Sequence, residues 1–136
     1  VAECLFCAAV SGSLGVVEVW SSPEVFAFLD HRPVFKGHVL VVPSAHTEVL
    51  GDLAADAVGP YFVAVQRTAV AVERGLGAQG SFVALNNRVS QSVPHLHTHV
   101  VPRTKGDGLR GFFWPRTKYD SPDEERAYAA KIAEAL

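Results

Sequence analysis

The 136-residue chain contains no methionine and only two cysteines. Two thiols cannot build a disulfide framework. Their C-x-x-C spacing, Cys4 and Cys7, points instead to a metal site or a redox pair in a reducing compartment. Long apolar runs are also missing. Nothing approaches the ~18 residues that a membrane-spanning helix needs. Glu3, Cys4 and Cys7 stand where the basic head and apolar run of a signal peptide would be, so a cytoplasmic location is expected. No excess of one charge exists: the net charge is −2 and the pI about 6.3. That excludes a broad basic face for duplex nucleic acid and leaves an acidic ligand to be held by a local site. Repeats and low-complexity segments are absent. What remains is globular, 49% hydrophobic and 19% charged, and fits one domain over residues 1–136.

The runs VVEVW (16–20) and EVFAFLD (24–30) are β-branched and aromatic, and the SSP between them reads as a hairpin turn. GHVLVVPS (37–44) is a third strand ended by Pro43. Residues 51–77 are alanine-rich, and Phe62, Val65, Ala69 and Val72 recur at helical spacing. Gly75 and Gly77 end that helix, and Gly59-Pro60 should kink it or delay its start. SFVALNN (81–87) and HLHTHVVP (95–102) are further strands. Ser121, Pro122 and Glu124 form a capping-box start to a C-terminal helix. The expected class is α+β, with an antiparallel sheet, one central and one terminal helix.

Half of the six histidines lie at alternate positions, His95, His97 and His99. On a strand they share one face, while Leu96, Thr98 and Val100 share the other. The apolar set can pack under the helix while the imidazoles look into a cleft. Three uses compete: a polar, half-exposed strand face; a three-histidine zinc centre that activates water; and a nucleophilic imidazole that attacks phosphorus.

HLHTHVV resembles the His-x-His-x-His-x-x signature of the histidine triad (HIT) nucleotide hydrolases and transferases. GHVLVVPSAH and FAFLDHRP resemble that family's strand before the central helix and its nucleotide-pocket segment, and SQSV stands where Gly-Gln-Ser/Thr-Val is usual. The resemblance covers nearly the whole chain. It implies a five-stranded antiparallel sheet extended across a homodimer, and hydrolysis at the α-phosphate of a purine nucleotide. His97 would be the nucleophile, its other N–H tied to the His95 carbonyl, and His99 would assist the leaving group. Gln91, Ser92 and Asn87 would contact phosphate, Asn86 being the alternative to Asn87. Asp30 would hold the ribose, and Phe6, Phe28 and His31 would wall the base, plain core packing being the other reading of the two phenylalanines. His38 would support the triad. The leaving group could be an amine, as in the Hint branch, or a second nucleotide, as in the Fhit branch. A nucleotide-binding module without catalysis is a further possibility, because the loop NNRVSQ is short and carries Ser90 in place of glycine.

ECLFCAAVSG resembles the start of bacterial HIT proteins with a structural zinc, which implies the ligands Cys4, Cys7, His46 and His95. Two thiolates and two imidazoles would close a tetrahedral site. The redox reading is weaker, because apolar Leu5-Phe6 separates the thiols and no helix N-terminus is evident there. The segment 103–118 combines Arg103, Lys105, Arg110, Arg116 and Lys118 with Phe112, Phe113 and Trp114. It suits phosphates and bases, with Trp114 the candidate substrate contact, or else it is a solvated loop with aromatics in a dimer contact.

Overall fold

The computed structural model describes residues 4–110 and 115–136. Trp114, Phe112 and Phe113 lie outside the described residues. The element order is α1 (Leu5–Ser11), β1 (Glu18–Ser21), β2 (Val25–Leu29), β3 (Val39–Pro43), a 3-10 turn (Leu50–Asp52), α2 (Ala55–Leu76), β4 (Gly80–Leu85), β5 (Thr98–Arg103) and α3 (Pro122–Glu134). The strands form one antiparallel five-stranded sheet in the order β1-β2-β3-β5-β4. The expected α+β architecture is thus present.

Strand alternation separates two cores. Val25, Ala27, Val39, Val41, Leu96 and Val100 face α2, which meets them with Tyr61, Ala64, Val65 and Val72. Phe28, Leu40 and Val42 face the other side, where α1 lays Ala9 on them and Phe6 and Val10 beside them. β3 is buried along its whole length, because both sheet faces are covered there.

Several local expectations need correction. α2 starts at Ala55 and runs through Gly59-Pro60, so the pair does not delay the helix. Pro60 is the sixth helical residue and forgoes one intrahelical bond, to the Asp56 carbonyl, without ending the helix. Gly77 is the left-handed cap, and Gly75 stays helical. Phe62 is 38% exposed, whereas Tyr61 is buried. The tyrosine wins the core position because its hydroxyl finds partners: it donates to the Val41 carbonyl at 2.8 Å and accepts from Thr98 Oγ1 at 2.6 Å. Burial pushes the phenol up to about 12, so it stays a donor. β5 begins at Thr98 rather than 95 and continues through Pro102. The proline is tolerated because pairing with β3 has ended at Val39↔Val100. The cap of α3 is as expected at Ser121, whose Oγ accepts from Glu124 N at 3.1 Å, but Glu124 reaches back to Asp120 N rather than to Ser121 N. No residue of α3 is buried. α1 was not anticipated at all.

Tyr61 bolts α2 to β3 and β5. Tyr61→Phe removes both bonds and leaves the buried Thr98 hydroxyl without that partner. It is expected to cost about 1–2 kcal/mol in urea denaturation, with unchanged secondary structure by circular dichroism.

Candidate active site

The segment entering β5 is held from outside. Leu96 N–H donates to the Thr47 carbonyl at 2.6 Å, and His95 N–H to the Val93 carbonyl at 2.8 Å. Leu96, Thr98 and Val100 are all buried toward α2, which turns the intervening histidines to the other side. They do not form a uniform row. His97 and His99 line a cavity, with ring centroids 5.1 Å apart, while His95 turns to the two cysteines.

Backbone groups fix the tautomer of each ring. His97 Nδ1 lies 2.8 Å from the His95 carbonyl, which can only accept. The proton is therefore on Nδ1, and the Nε2 lone pair is bare. His95 Nε2 lies 2.8 Å from the Pro43 carbonyl, so its Nδ1 lone pair faces the thiols. Val34 N–H donates to His38 Nδ1 at 3.1 Å, which places the His38 proton on Nε2. That Nε2–H donates to His99 Nδ1 at 3.0 Å, leaving the His99 proton on Nε2. His97 thus offers an electron pair and its neighbour His99 an N–H. Gly37 prepares the His38 position: its φ of +98° suits glycine, and a Cβ there would meet Leu76 at 2.3 Å.

Burial pushes His38 and His99 below the ordinary imidazole value. For His99, neighbouring His97 and His38 add to burial while Asp30 opposes, and the result is about 4. His99 is therefore a neutral hydrogen-bond donor at physiological pH.

The cavity holds about 700 Å³. Phe6, Val16, Phe28 and Leu40 are among its apolar walls, and Asp30, His31, Ser92, His97 and His99 supply its polar groups. Phe28 is both core and wall, being only 4% exposed. Leu14, Val16, Leu40 and Val93 are wall residues that the sequence reading missed. Asp30 Oδ1 accepts from Arg32 N–H at 2.9 Å, and its Oδ2 lies 3.8 Å from His38 Nδ1.

The loop before the triad is turned inward on itself. Gln91 Oε1 accepts from Arg88 N–H at 2.8 Å, and Gln91 Nε2 donates to the Glu48 carbonyl at 2.7 Å. Asn87 Oδ1 accepts from Leu50 N–H at 2.9 Å. Both side chains brace the loop against residues 48–50 and are not among the cavity's lining residues, unlike Ser92. Arg88 and Ser90 adopt positive φ, 67° and 61°. Ser90 thus takes the backbone conformation for which glycine is the usual choice.

Cys4, Cys7, His46 and His95 form a group whose ligand atoms all lie within 4.8 Å of one another. Cys4 Sγ–His95 Nδ1 is 3.4 Å, Cys7 Sγ–His95 Nδ1 is 3.6 Å and Cys7 Sγ–His46 Nδ1 is 3.4 Å. A tetrahedral zinc ion separates neighbouring sulfur and nitrogen ligands by roughly 3.5 Å, so the donor set fits. The C-x-x-C pair does sit at a helix N-terminus, contrary to the sequence reading: Cys4 caps α1 and its sulfur accepts from Cys7 N–H. Asp30, His38 and His99 also cluster. Their facing ring nitrogens are spent on each other. Because His95 points to the thiols, the three triad rings do not converge on one point.

In the following segment, Arg103 is bidentate to Asp107, at 2.6 and 3.1 Å, and also donates to the Leu109 carbonyl. The guanidinium holds the Asp107 carboxyl down at about 2. Arg103 is therefore a loop brace.

Buried His97 and half-buried His99 beside an apolar cavity, with thiols and imidazoles gathered at one end, stand on a single five-stranded sheet. Residues 17–106 match the HIT domain, and the chain belongs to the HIT family. The crystal structure of a HIT family member from Bacillus subtilis superposes with a TM-score of 0.89 at 32% identity, covering 99% of this chain and 98% of that one. A zinc-bound histidine triad family protein from Mycobacterium smegmatis gives a TM-score of 0.75 at 35% identity, covering 98% of each chain. The adenosine 5'-monophosphoramidase hnt1 of Schizosaccharomyces pombe is 30% identical over 98% of both chains.

Half-buried His99 carries a pH signature. The unfolded chain takes protons near pH 6.5, while folded His99 resists protonation down to about 4. Stability contributed by this difference is complete above about pH 6.5 and declines as pH falls toward 4. Urea midpoints should be lower near pH 5 than near pH 7, and His99→Gln should narrow that gap.

Proposed function

We propose that this chain is a nucleotide hydrolase that cleaves a phosphoramidate or phosphoanhydride bond at the α-phosphate of a purine nucleotide through a nucleotidyl-His97 intermediate. The observation that carries this is the bare His97 Nε2 beside the cavity, enforced by the Nδ1–H bond to the His95 carbonyl at 2.8 Å. The base and ribose occupy the apolar end, with Asp30 accepting from ribose hydroxyls and His31 at the rim. Ser92 donates to phosphate oxygens, and Gln91 and Asn87 hold the loop that presents it.

In the first step the His97 lone pair forms a bond to phosphorus as the bond to the leaving group breaks. The new imidazolium charge lies at Nδ1–H, against the His95 carbonyl. His99 donates its Nε2–H to the departing atom, and water supplies the proton that completes the leaving group. In the second step the hydroxide left by that water attacks phosphorus, the P–N bond breaks, and the nucleotide monophosphate leaves with His97 restored as a neutral ring. An amine is the favoured leaving group, consistent with the phosphoramidase relative; dinucleoside polyphosphate cleavage is the alternative. Cys4, Cys7, His46 and His95 would hold zinc, which with four protein ligands would supply a cross-link rather than an open position.

A homodimer is part of this reading. Tyr128 and Ile132 on α3 are 52% and 65% exposed, and Phe62 and Val63 on α2 are 38% and 54% exposed. These apolar groups suit a second copy.

Two outcomes test the proposal. Wild-type protein quenched during turnover of adenosine phosphoramidate should carry a nucleotidyl adduct on His97 by mass spectrometry, and His97→Ala should lose about 10³-fold or more in kcat/KM. Metal analysis should find one zinc per chain, retained in His97→Ala and lost in a Cys4→Ser, Cys7→Ser double variant. Adducts elsewhere, or zinc lost with His97, would contradict it.

A further inference from the structure

We propose that Phe6 is a positioning residue that links the Cys4, Cys7, His46 and His95 cluster to the nucleotide cavity, so that zinc and nucleotide strengthen each other's binding; this rests on the nucleotide reading given above.

The geometry of α1 suggests the link. Cys4 and Cys7 lie one turn apart and reach across to His46 and His95. The hydrogen bonds of Ser11, Ser13 and Leu14 close back on Ala8, inside the same segment. The thiols thus tie this short helix to the entrance of β5. Leu5 and Phe6, between the two thiols, both line the cavity. Phe6 sets its ring edge-on to three others: Phe28 at 5.5 Å, His95 at 5.9 Å and His97 at 5.0 Å. One side chain therefore touches a metal-ligand ring, the nucleophile's ring and the aromatic wall opposite.

Closing the four ligands on an ion orders α1 and with it this ring. A nucleotide packed on the same ring orders α1 from the other side. Each ligand then meets a segment the other has already ordered, and linkage requires the two effects to be equal. A helix of seven residues has little stability of its own, so its position depends on such ties. The apolar Leu5-Phe6 pair also gains a purpose: these residues belong to the cavity rather than to thiol chemistry.

The test measures AMP affinity by calorimetry on zinc-loaded and chelator-stripped protein. Zinc affinity is measured by competition with a chromophoric chelator, with and without AMP. In wild type both affinities should rise by about 5-fold or more when the other ligand is present, by the same factor. Phe6→Ala should still bind one zinc, bind AMP more weakly in both states, and show a factor near one. Phe6→Leu, which keeps apolar bulk without the ring edge, should show the same loss of coupling and covers misfolding of the alanine variant. Equal AMP affinity in loaded and stripped wild type would overturn the proposal, as would coupling that survives in both variants. If zinc-loaded wild type fails to bind AMP, the nucleotide reading itself falls, a result distinct from binding without coupling.

Discussion

One hydrogen bond governs the chemistry of this fold: His97 Nδ1–H to the backbone carbonyl of His95, two residues earlier. A neutral imidazole has two possible protonation sites, and only one exposes a lone pair to the cavity. The carbonyl accepts and cannot donate, so it selects that form without any second side chain. The same logic recurs around it. The Pro43 carbonyl frees His95 Nδ1 for the thiol cluster, and the Val34 amide, acting through His38, leaves a proton on His99 Nε2. Main-chain groups thus set the tautomers of His95 and His97 directly and that of His99 through the His38 side chain.

The fold exists to hold that segment still. α2 covers one face of the sheet and pins Leu96, Thr98 and Val100, partly through the Tyr61 hydroxyl. The other face is closed at one end by α1 and left open at the other as the cavity. His97 and His99 lie where the two regimes meet and line the cavity, and burial pushes His99 below the ordinary imidazole value. The cost is local. Ser90 and Arg88 accept positive φ so that a short loop can reach the triad.

Much of this was legible in the amino-acid order. Alternation of histidine with Leu96, Thr98 and Val100 predicts opposite faces whether or not the residues are formally a strand, so starting β5 at Thr98 changes little. The assembly of Cys4, Cys7, His46 and His95 was legible only through family likeness, because contacts spanning up to 91 positions leave no local pattern. α1 escaped notice because seven residues show too little periodicity, and cysteine is an unusual cap. Helical spacing with Val65, Ala69 and Val72 points to Phe62 rather than the buried Tyr61, whose hydroxyl has partners on β3 and β5 that no local pattern shows. The inward turn of Gln91 and Asn87 depends on the Glu48 carbonyl and Leu50 amide, which approach only in three dimensions.

The assignment of protons is therefore the central claim, and it can be read directly. Long-range nitrogen–proton correlation spectra of the histidine rings, recorded on wild-type protein at neutral pH, distinguish the two neutral forms. The account predicts His97 protonated at Nδ1 and bare at Nε2, with His99 the reverse. A spectrum showing the His97 proton on Nε2 would contradict it, since no lone pair would then face the cavity.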